Sequence, residues 1–312
     1  MNPVHLFFAC DDNYVPFLAV TLTSIRETCD PNRHYVVRIL QTGIQEESKQ
    51  RLTAQFTAPN FSLEFVDVSP VLTEISDQLH TRDYYSKSTY YRLFIPELFP
   101  QLDKALYLDC DIVLTGDVSR LYDTPLEDHL VAAVPDGAVA AIAPFREYVS
   151  KRLRVDPGKY FNAGVLLMNL EQMRRCDFTG VFLRLLKTVT FRVAQDQDYL
   201  NVICRDRVHY LSPAWNTMPS GIPVEQPQLI HYNLDSKPWQ RDDVAYGALF
   251  WDMAERSGFL PEILAIRSGF TKERIEESAR QTQQLIHMGQ RQARNRTKNL
   301  WIRWRINRVV NL

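Results

Sequence analysis

Apolar and polar positions follow a strand-and-helix order through the first part of the chain. An apolar run at residues 4–10 predicts a buried first strand, and residues 35–40 and 61–66 predict a second and a third strand. Between them, Val15, Leu18, Leu22 and Ile25 recur at helical spacing in residues 14–28, and residues 45–56 have the pattern of a helix with a polar face. This alternation predicts an α/β fold whose sheet is mostly parallel and covered on both faces.

The rest of the chain extends this organisation and then changes character. Further strands are predicted at residues 105–108, 130–134, 165–168 and 229–231, and helices at residues 88–99, 178–187 and 197–203. Beyond residue 239 the pattern predicts one or two helices in residues 250–266, a polar helix in residues 271–287 and a basic segment over residues 291–312. We therefore predict one α/β domain over residues 1–245 and a helical extension over residues 246–312.

Polar residues recur directly after the predicted buried strands. Asp11 and Asn13 follow the first strand, Asp109 and Asp111 follow the strand at residues 105–108, and His231 ends the strand at residues 229–231. In open α/β sheets the ligand crevice lies beyond the carboxyl ends of the strands. These side chains are therefore expected to belong to a binding site, although they are far apart in the sequence.

The segment around Asp109 and Asp111 predicts a metal site. Two carboxylates this close would repel each other, and a divalent cation relieves that repulsion by binding oxygen atoms of both. The alternative is a solvated turn with two unconnected aspartates. His231 alone would more often be a structural residue, but a histidine ligand followed by Lys237 suits a metal-bound diphosphate. Mixed oxygen and imidazole ligands favour manganese, with magnesium as the second choice.

Two further segments have features that suit contact with a bound ligand. Gly164, in the segment Asn162-Ala163-Gly164, would allow close backbone approach, although a glycine before a strand is ordinary. The acid and amide groups of residues 195–201 suit sugar hydroxyls, or they only cap a helix. Asp136 follows a predicted strand and either faces the acceptor or forms a turn with Gly137.

Charge and cysteine content narrow the class of protein. The net charge is −1, and eight basic residues with no acidic residue follow Glu277, so the remainder of the chain is acidic. An acidic body argues against a nucleic-acid-binding protein. The five cysteines are scattered without a CxxC pair, which favours a reduced, cytosolic compartment. The N-terminal pattern does not match a signal peptide, and no apolar stretch has the length of a membrane span.

The C-terminal segment over residues 291–312 mixes arginines with Trp301 and Trp304. Helices that lie on anionic membrane surfaces combine aromatic rings with cations in this way. The alternatives are a frayed terminus or a helix packed on the body. We expect attachment to an anionic membrane surface, and hence a cytoplasmic protein that is peripheral at the inner face of the cell membrane.

Six spaced segments together resemble glycosyltransferase family 8, and within it the bacterial lipopolysaccharide galactosyltransferases. They read FACDDNY, STYYRL, LYLDCD, YFNAGVLLMNL, QDQD, and HY followed by KPW, and they occur in the family's order between Val4 and Trp239. The resemblance implies a single Rossmann-like nucleotide-sugar transferase domain of the GT-A type, with a mixed, mostly parallel central sheet and a helical basic tail. It also implies a UDP-sugar donor, a glycan or glycolipid acceptor such as lipopolysaccharide, and retention of the anomeric configuration.

The resemblance further implies a role for each matching residue. Asp11 and Asn13 would hold the nucleoside, and Lys237 would contact the diphosphate. Asp109, Asp111 and His231 would bind manganese. The positions that would face the donor sugar are Arg92, Asn162, Ala163, Gly164, Asp196 and Gln197. Of the donor-site residues, the four implied in catalysis are Arg92, Asp196, Gln197 and Lys237. Gln197 lies nearest the reacting face in the family, but an amide is a poor nucleophile. The expected mechanism is therefore a front-face substitution in which a leaving diphosphate oxygen takes the proton of the incoming hydroxyl.

One departure from the family and two alternatives stay open at this point. The family usually has a glycine three residues after the histidine, and this chain has Leu234 there, which bears on the geometry of the phosphate loop. A degenerate nucleotide-sugar-binding scaffold without turnover is the non-enzyme alternative. A nucleotidyltransferase would need a glycine-rich, basic first loop, whereas residues 11–13 are acidic.

Overall fold

A computed structural model of the protein describes residues 2–72 and 87–310. The described strands are β1 (Val4–Ala9), β2 (Tyr35–Gln41), β3 (Phe61–Asp67), β4 (Lys104–Leu108), β5 (Ile112–Leu114), β6 (Val131–Ala133), β7 (Val165–Asn169), β8 (Val208–Tyr210) and β9 (Leu229–His231). The described α-helices are α1 (Val15–Thr28), α2 (Glu46–Phe56), α3 (Ser69–Leu72), α4 (Ile95–Leu98), α5 (Val118–Tyr122), α6 (Gly137–Ala141), α7 (Ala143–Tyr148), α8 (Leu170–Arg175), α9 (Phe178–Thr188), α10 (Asp196–Ile203), α11 (Gly247–Arg256), α12 (Leu260–Ser268), α13 (Lys272–Arg294) and α14 (Arg296–Val309). Shorter 3-10 helices cover Asp12–Tyr14, Lys87–Phe94 and Pro213–Asn216, and a π-helical turn covers Val149–Leu153.

The first of two compact units comprises Met1–Pro70, Ala105–Pro125 and Ser212–Ala279. Its strands lie in the order β3-β2-β1-β4, and each strand is parallel to its neighbour. Every residue of β2 is buried, as expected for a parallel strand covered on both faces. Separately, β5 and β9 form an antiparallel pair.

Helix α1 lies in the interior of the first unit. Pro16 lies in its first turn, where a missing N–H costs nothing, and residues Val15 to Ile25 are all buried. The spacing of apolar residues predicts only one buried face. The structure buries the polar positions too, because Thr21 and Ser24 bond to backbone atoms near β5.

The second unit comprises Val71–Lys104, Leu126–Leu211 and Arg280–Leu312. In it, β6 is antiparallel to β7 and parallel to β8. Helix α9 buries an apolar face that includes Phe178, Phe182 and Leu185. Helix α14 contacts α9, and its Ile302 and Ile306 are buried. Helices α3 and α13 contribute residues to both units.

The mixed, mostly parallel sheet is confirmed, and the predicted strands end within about two residues of the observed ones. The single helix predicted over residues 88–99 is a 3-10 helix at Lys87–Phe94 followed by the short α4. Pro96 has no N–H to donate and fits the first turn of a new helix, and α4 accordingly starts at Ile95 with Pro96 in its first turn. The predictions omit β5, β8 and helices α3 and α5 to α8. The division at residue 245 stays a prediction. No described helix is both long and apolar enough to cross a bilayer.

Candidate functional site

Asp109, Asp111 and His231 come together in the first unit through the connection after β4 and the pairing of β5 with β9. The aspartates lie in the connection between β4 and β5, and the β5–β9 pairing places Ile112 opposite His231. One ligand atom from each of the three side chains lies within 4.8 Å of the others. The sequence prediction that these three residues share a site is therefore matched by their positions.

The orientation of the His231 ring follows from its neighbour Asn216. The Nδ1 atom lies 3.0 Å from the amide oxygen Oδ1 of Asn216, which can only accept, so Nδ1 is the donor in this contact. The contact turns Nε2 toward the aspartates, 3.3 Å from Oδ1 of Asp111 and 3.7 Å from Oδ2 of Asp109. An imidazole nitrogen and two carboxylate oxygens therefore face one another.

This donor set fits a divalent cation. Asp111 Oδ1 is buried and accepts no hydrogen bond within the described part of the chain, and an unsatisfied buried carboxylate oxygen is costly without a cation. The side chains of His231 and Asp111 are 4% and 11% exposed, whereas that of Asp109 is 28% exposed. The cluster is thus closed on the histidine side and accessible on the Asp109 side, as a substrate-binding metal centre requires.

The loop that carries the aspartates is fixed by hydrogen bonds. The Thr21 hydroxyl on α1 lies 2.9 Å from the carbonyl oxygen of Cys110 and 2.8 Å from that of Ile112. The hydroxyl of Tyr107 donates to Asp109 Oδ1 at 2.9 Å, which fixes the carboxylate from the preceding strand. The buried threonine at the helix centre therefore positions both carboxylates through the backbone.

Lys237 lies beside the same carboxylate pair. Its Nζ donates to Asp111 Oδ2 at 2.5 Å and to the carbonyl oxygen of Tyr232 at 2.9 Å. Burial alone would raise the pKa of Asp111, but the positive charge of Lys237 and its hydrogen bond to the carboxylate outweigh burial and hold that pKa well below its ordinary value. Trp239 stacks on Phe17 with ring centroids 3.9 Å apart, which anchors the chain just after the lysine.

The turn between His231 and Lys237 contains Leu234, whose φ of 50° lies in the left-handed region. Glycine adopts this conformation without penalty, whereas a residue with a Cβ is strained. The chain therefore keeps the backbone geometry that favours glycine, although it has leucine at this position.

Asp11 and Asn13 lie directly after β1, as predicted. Oδ1 of Asp11 accepts a hydrogen bond from the backbone N–H of Tyr14 at 3.2 Å, so this side chain caps the short 3-10 helix. Asn13 is exposed. Burial is the largest cause that raises the pKa of the neighbouring Tyr14 to about 12, so its hydroxyl remains protonated at neutral pH.

The second unit collects the other predicted site residues into one polar cluster. The Arg92 Nε lies 3.3 Å from Asp196 Oδ2, and both side chains are buried. The Arg92 guanidinium also donates to the carbonyl oxygen of Ala163. Gln197 Oε1 accepts from the backbone N–H of Ala163 at 3.0 Å. Arginine, aspartate and amide groups from three distant segments are thus linked through the backbone of residue 163.

Asp136 connects this cluster to α6. Its Oδ1 caps the helix by accepting from the backbone N–H groups of Ala138 and Val139, at 3.0 and 3.2 Å. Its Oδ2 accepts from Asn162 Nδ2 at 3.3 Å and from Gln197 Nε2 at 3.1 Å. Asp136 therefore caps a helix instead of forming a turn with Gly137, and the same carboxylate also orients two amides. Gly164 belongs to this segment through its N–H, which donates to Asn162 Oδ1 at 3.0 Å.

Asp198 in the same acidic segment has a different environment. The hydroxyls of Tyr148 and Tyr160 each donate to it at 2.7 Å, and the N–H of Ala194 donates at 3.1 Å. Complete burial raises its pKa to about 6, and these hydrogen bonds oppose that rise. Asp198 therefore fixes the start of α10, and Asp196 and Gln197 take part in the polar cluster.

Comparison with known proteins identifies the family. The model of glycosyl transferase family 8 matches residues 5–243, more than three quarters of the chain. This protein belongs to glycosyl transferase family 8. The predicted family is thereby confirmed, as is the α/β fold of the GT-A type.

Several family 8 relatives cover most of the chain. A lipopolysaccharide 1,2-glucosyltransferase of Escherichia coli (strain K12) is 31% identical over 271 residues, which cover 76% of this chain and 73% of that protein. General stress protein A of Bacillus subtilis (strain 168) is 28% identical, with 76% of this chain and 87% of that protein covered. The crystal structure of galactosyltransferase LgtC in complex with donor and acceptor sugar analogs has a TM-score of 0.70 and 28% identity, covering 81% of this chain and 96% of LgtC.

Two residues of the site were not predicted from the sequence. Asn216, which orients His231, and Thr21, which fixes the loop of the aspartates, lie far from them in the sequence. Asparagine in a short 3-10 helix and threonine within a helix give no recognisable pattern of their own. Only the contacts of their side chains show what they do.

Proposed function

We propose that this family 8 glycosyltransferase is a metal-dependent, retaining hexosyltransferase that moves galactose or glucose from a UDP-sugar to a glycan acceptor such as lipopolysaccharide. The observation that carries the proposal is the convergence of Nε2 of His231 with carboxylate oxygens of Asp109 and Asp111. One of these oxygens is buried and accepts no hydrogen bond from the residues that the structure describes. Manganese suits this set of oxygen and imidazole ligands, and magnesium is the alternative.

In this proposal the metal would neutralise charge on the diphosphate of the donor. Lys237 supplies a second positive charge next to the same carboxylates, and it stabilises the departing UDP. Asp11 and Asn13 hold the nucleoside, as the family resemblance implies.

The polar cluster of the second unit is assigned to the sugar. Arg92, Asn162, Asp196 and Gln197 bind its hydroxyls, and the segment of Ala163 and Gly164 approaches it with backbone. Gln197 is held through both ends of its amide, by Ala163 N–H and by Asp136. Such an amide can orient a sugar, and it is a poor nucleophile, so we propose front-face substitution in which a leaving phosphate oxygen accepts the proton of the acceptor hydroxyl.

The test is UDP release from UDP-galactose and from UDP-glucose without acceptor, with manganese or with a chelator. We expect slow, manganese-dependent release from one of the two donors, which also identifies the sugar. A non-catalytic scaffold is the alternative, and Leu234 is the feature that favours it. UDP binding without hydrolysis or transfer, with either donor and with glycan acceptors, would establish the scaffold instead.

We also propose that residues 246–312 are a helical extension and that α14 attaches the protein to the inner face of the cell membrane. One face of α14 packs through Ile302 and Ile306, and the opposite face exposes Leu300, Trp301 and Trp304 by 66%, 45% and 51%. The exposed rings lie under the guanidinium groups of two neighbouring arginines. This combination suits an anionic lipid surface. Residues 311–312, included in the predicted segment, lie outside the described residues.

Because α14 packs on the second unit, substitution tests this proposal more cleanly than truncation. The double variant Trp301→Ser and Trp304→Ser should no longer sediment with phosphatidylserine-containing vesicles. The exposed apolar residue Ile222 provides the control, since Ile222→Ser removes a comparable side chain elsewhere. Equal sedimentation of the double variant and the wild-type protein would contradict membrane attachment through α14.

A further inference from the structure

A cavity of about 580 Å³ lies in the second unit, lined from three parts of the chain. Residues 154–161, residues 201–210 and Asn307 of α14 form its walls. Cavities of this size bind small molecules. None of Arg92, Asn162, Asp196 or Gln197 lines it, so the cavity is separate from the polar cluster described above.

The floor of this cavity is nevertheless joined to that cluster. Asn201 exchanges two hydrogen bonds of 2.8 Å with the backbone of Phe161, and its Nδ2 also donates to the carbonyl oxygen of Gln197 at 3.0 Å. Phe161 and Asn201 are both almost fully buried. A ligand on this floor would rest against the segment that continues into Asn162 and Ala163.

One wall presents an aromatic ring in a fixed orientation. Tyr210 is 40% exposed, and its hydroxyl donates to the carbonyl oxygen of Lys159 at 2.9 Å. Burial raises its pKa to about 12, so the ring stays neutral. The face of an aromatic ring is electron-rich, and it attracts the weakly positive C–H groups on the face of a pyranose.

The rim is cationic. Arg154 and Lys159 are exposed and form no ion pair within the described residues. Arg205 lies 3.7 Å from Asp206, whose side chain is 83% exposed, so that contact is weak in water. The other acidic residue of the lining is Asp156, and one of its carboxylate oxygens already accepts a hydrogen bond from the backbone N–H of Gly158. The cations therefore remain available to an anionic ligand.

Arg154 has an unusual backbone for its position. It ends the π-helical turn at a φ of 60°, in the left-handed region where glycine is the usual residue. The chain accepts the strain of a residue with a Cβ at this position, and Arg154 is one of the residues that line the cavity.

We propose that this cavity is an accessory binding site for a saccharide that carries a phosphate or carboxylate group. Tyr210 contacts the sugar ring, and Lys159 and Arg205 bind the anionic group. Its role as a subsite for the charged part of the acceptor rests on the proposed glycosyl transfer, whereas binding itself does not depend on it.

The test measures binding of glucose 6-phosphate and of galacturonate to the full chain by calorimetry, in chelator and without donor. Glucose and inorganic phosphate are the comparison ligands. At least one anionic sugar should bind more tightly than both glucose and inorganic phosphate. Lys159→Ala and Arg205→Ala should each weaken that binding about tenfold, the usual size of a charge-assisted hydrogen bond. Lys187→Ala, which removes an exposed lysine outside the cavity, is the matched control and should bind as the wild-type protein does.

Three results would overturn the proposal: no binding of either anionic sugar, equal binding of inorganic phosphate, or equal loss in the Lys187→Ala control. Tyr210→Ala supplies a second readout, because it should weaken glucose as well as the anionic sugar, whereas Lys159→Ala should weaken only the anionic one. The assay contains neither metal nor donor. A failure of the proposed transferase activity would therefore appear in UDP release and leave this binding result unaffected.

Discussion

The strained turn at Leu234 offers a sharp test of the site's backbone geometry. Its φ is 50°, and the turn is closed by hydrogen bonds from Asn233 N–H to the carbonyl oxygen of His231 and from Ser236 N–H to that of Asn233. A residue with a Cβ pays about 1–2 kcal/mol in this conformation, and glycine does not.

The magnitude follows from comparing two substitutions at the same position. Leu234→Ala keeps the Cβ and its strain, and Leu234→Gly removes both. Both lose the rest of the half-buried leucine side chain, so that loss cancels. A variant with glycine is ordinarily less stable than one with alanine by about 0.5–1 kcal/mol, because glycine has more conformational freedom in the unfolded chain. The strain outweighs this, so Leu234→Gly should be the more stable variant by about 0.5–1 kcal/mol.

Urea unfolding of the two variants measures this difference directly. The control is the same pair at Gln50, an exposed position in the interior of α2, where alanine should be the more stable by about 1 kcal/mol. The order of the two residues should therefore reverse between positions 50 and 234. If alanine is as stable as glycine at position 234, the left-handed turn is refuted, and with it the link between this loop and the glycine of the family.

Three further predictions follow from particular contacts. Asn216→Leu removes the acceptor that orients His231, so manganese affinity, measured by paramagnetic resonance, should fall about 10- to 100-fold. Unchanged affinity would show that the contact with Asn216 does not support metal binding. Gln197→Ala should slow UDP release less than loss of a metal ligand does; an equal loss would restore Gln197 as a candidate nucleophile. The pKa of Asp198 is raised to about 6, so its ionised form destabilises the folded state. The stability that its protonated form contributes is therefore complete below about pH 4 and is lost as the pH rises through 6. The unfolding free energy changes by the order of 3 kcal/mol over this range. Asp198→Asn should flatten the fall of the unfolding free energy over that range, and a fall as steep as that of the wild-type protein would contradict the raised pKa.

The fold was predictable where burial dictates the pattern. Strands such as β2 are buried on both faces, and a short, mostly apolar segment has few other interpretations. Short elements were not predictable, because three residues such as Ile112–Leu114 carry no periodicity. Their pairing with Leu229–His231 is set by tertiary contact, and it is this pairing that brings the histidine to the aspartates.

The candidate site was predictable as a set of chemical groups, but not as a network. Asp109, Asp111 and His231 each follow or end a buried strand, so position and chemistry agree. The partners that orient them are different: Asn216 lies 15 residues before His231, and Thr21 lies in α1. Asp136 has two functions at once, since one oxygen caps α6 and the other binds the amides of Asn162 and Gln197. A sequence pattern shows only the first.

The central claim is that Asp109, Asp111 and His231 hold the metal on which departure of UDP depends. The most direct test titrates manganese into UDP-sugar hydrolysis by the wild-type protein and by Asp111→Asn, with Asp128→Asn as a control at an exposed aspartate. We predict that Asp111→Asn loses at least about a hundredfold in rate, the size expected for loss of a charge-stabilising group. The control should keep the manganese dependence of the wild-type protein. A manganese-dependent rate in Asp111→Asn close to that of the wild-type protein, with the fold intact by circular dichroism, would contradict the claim.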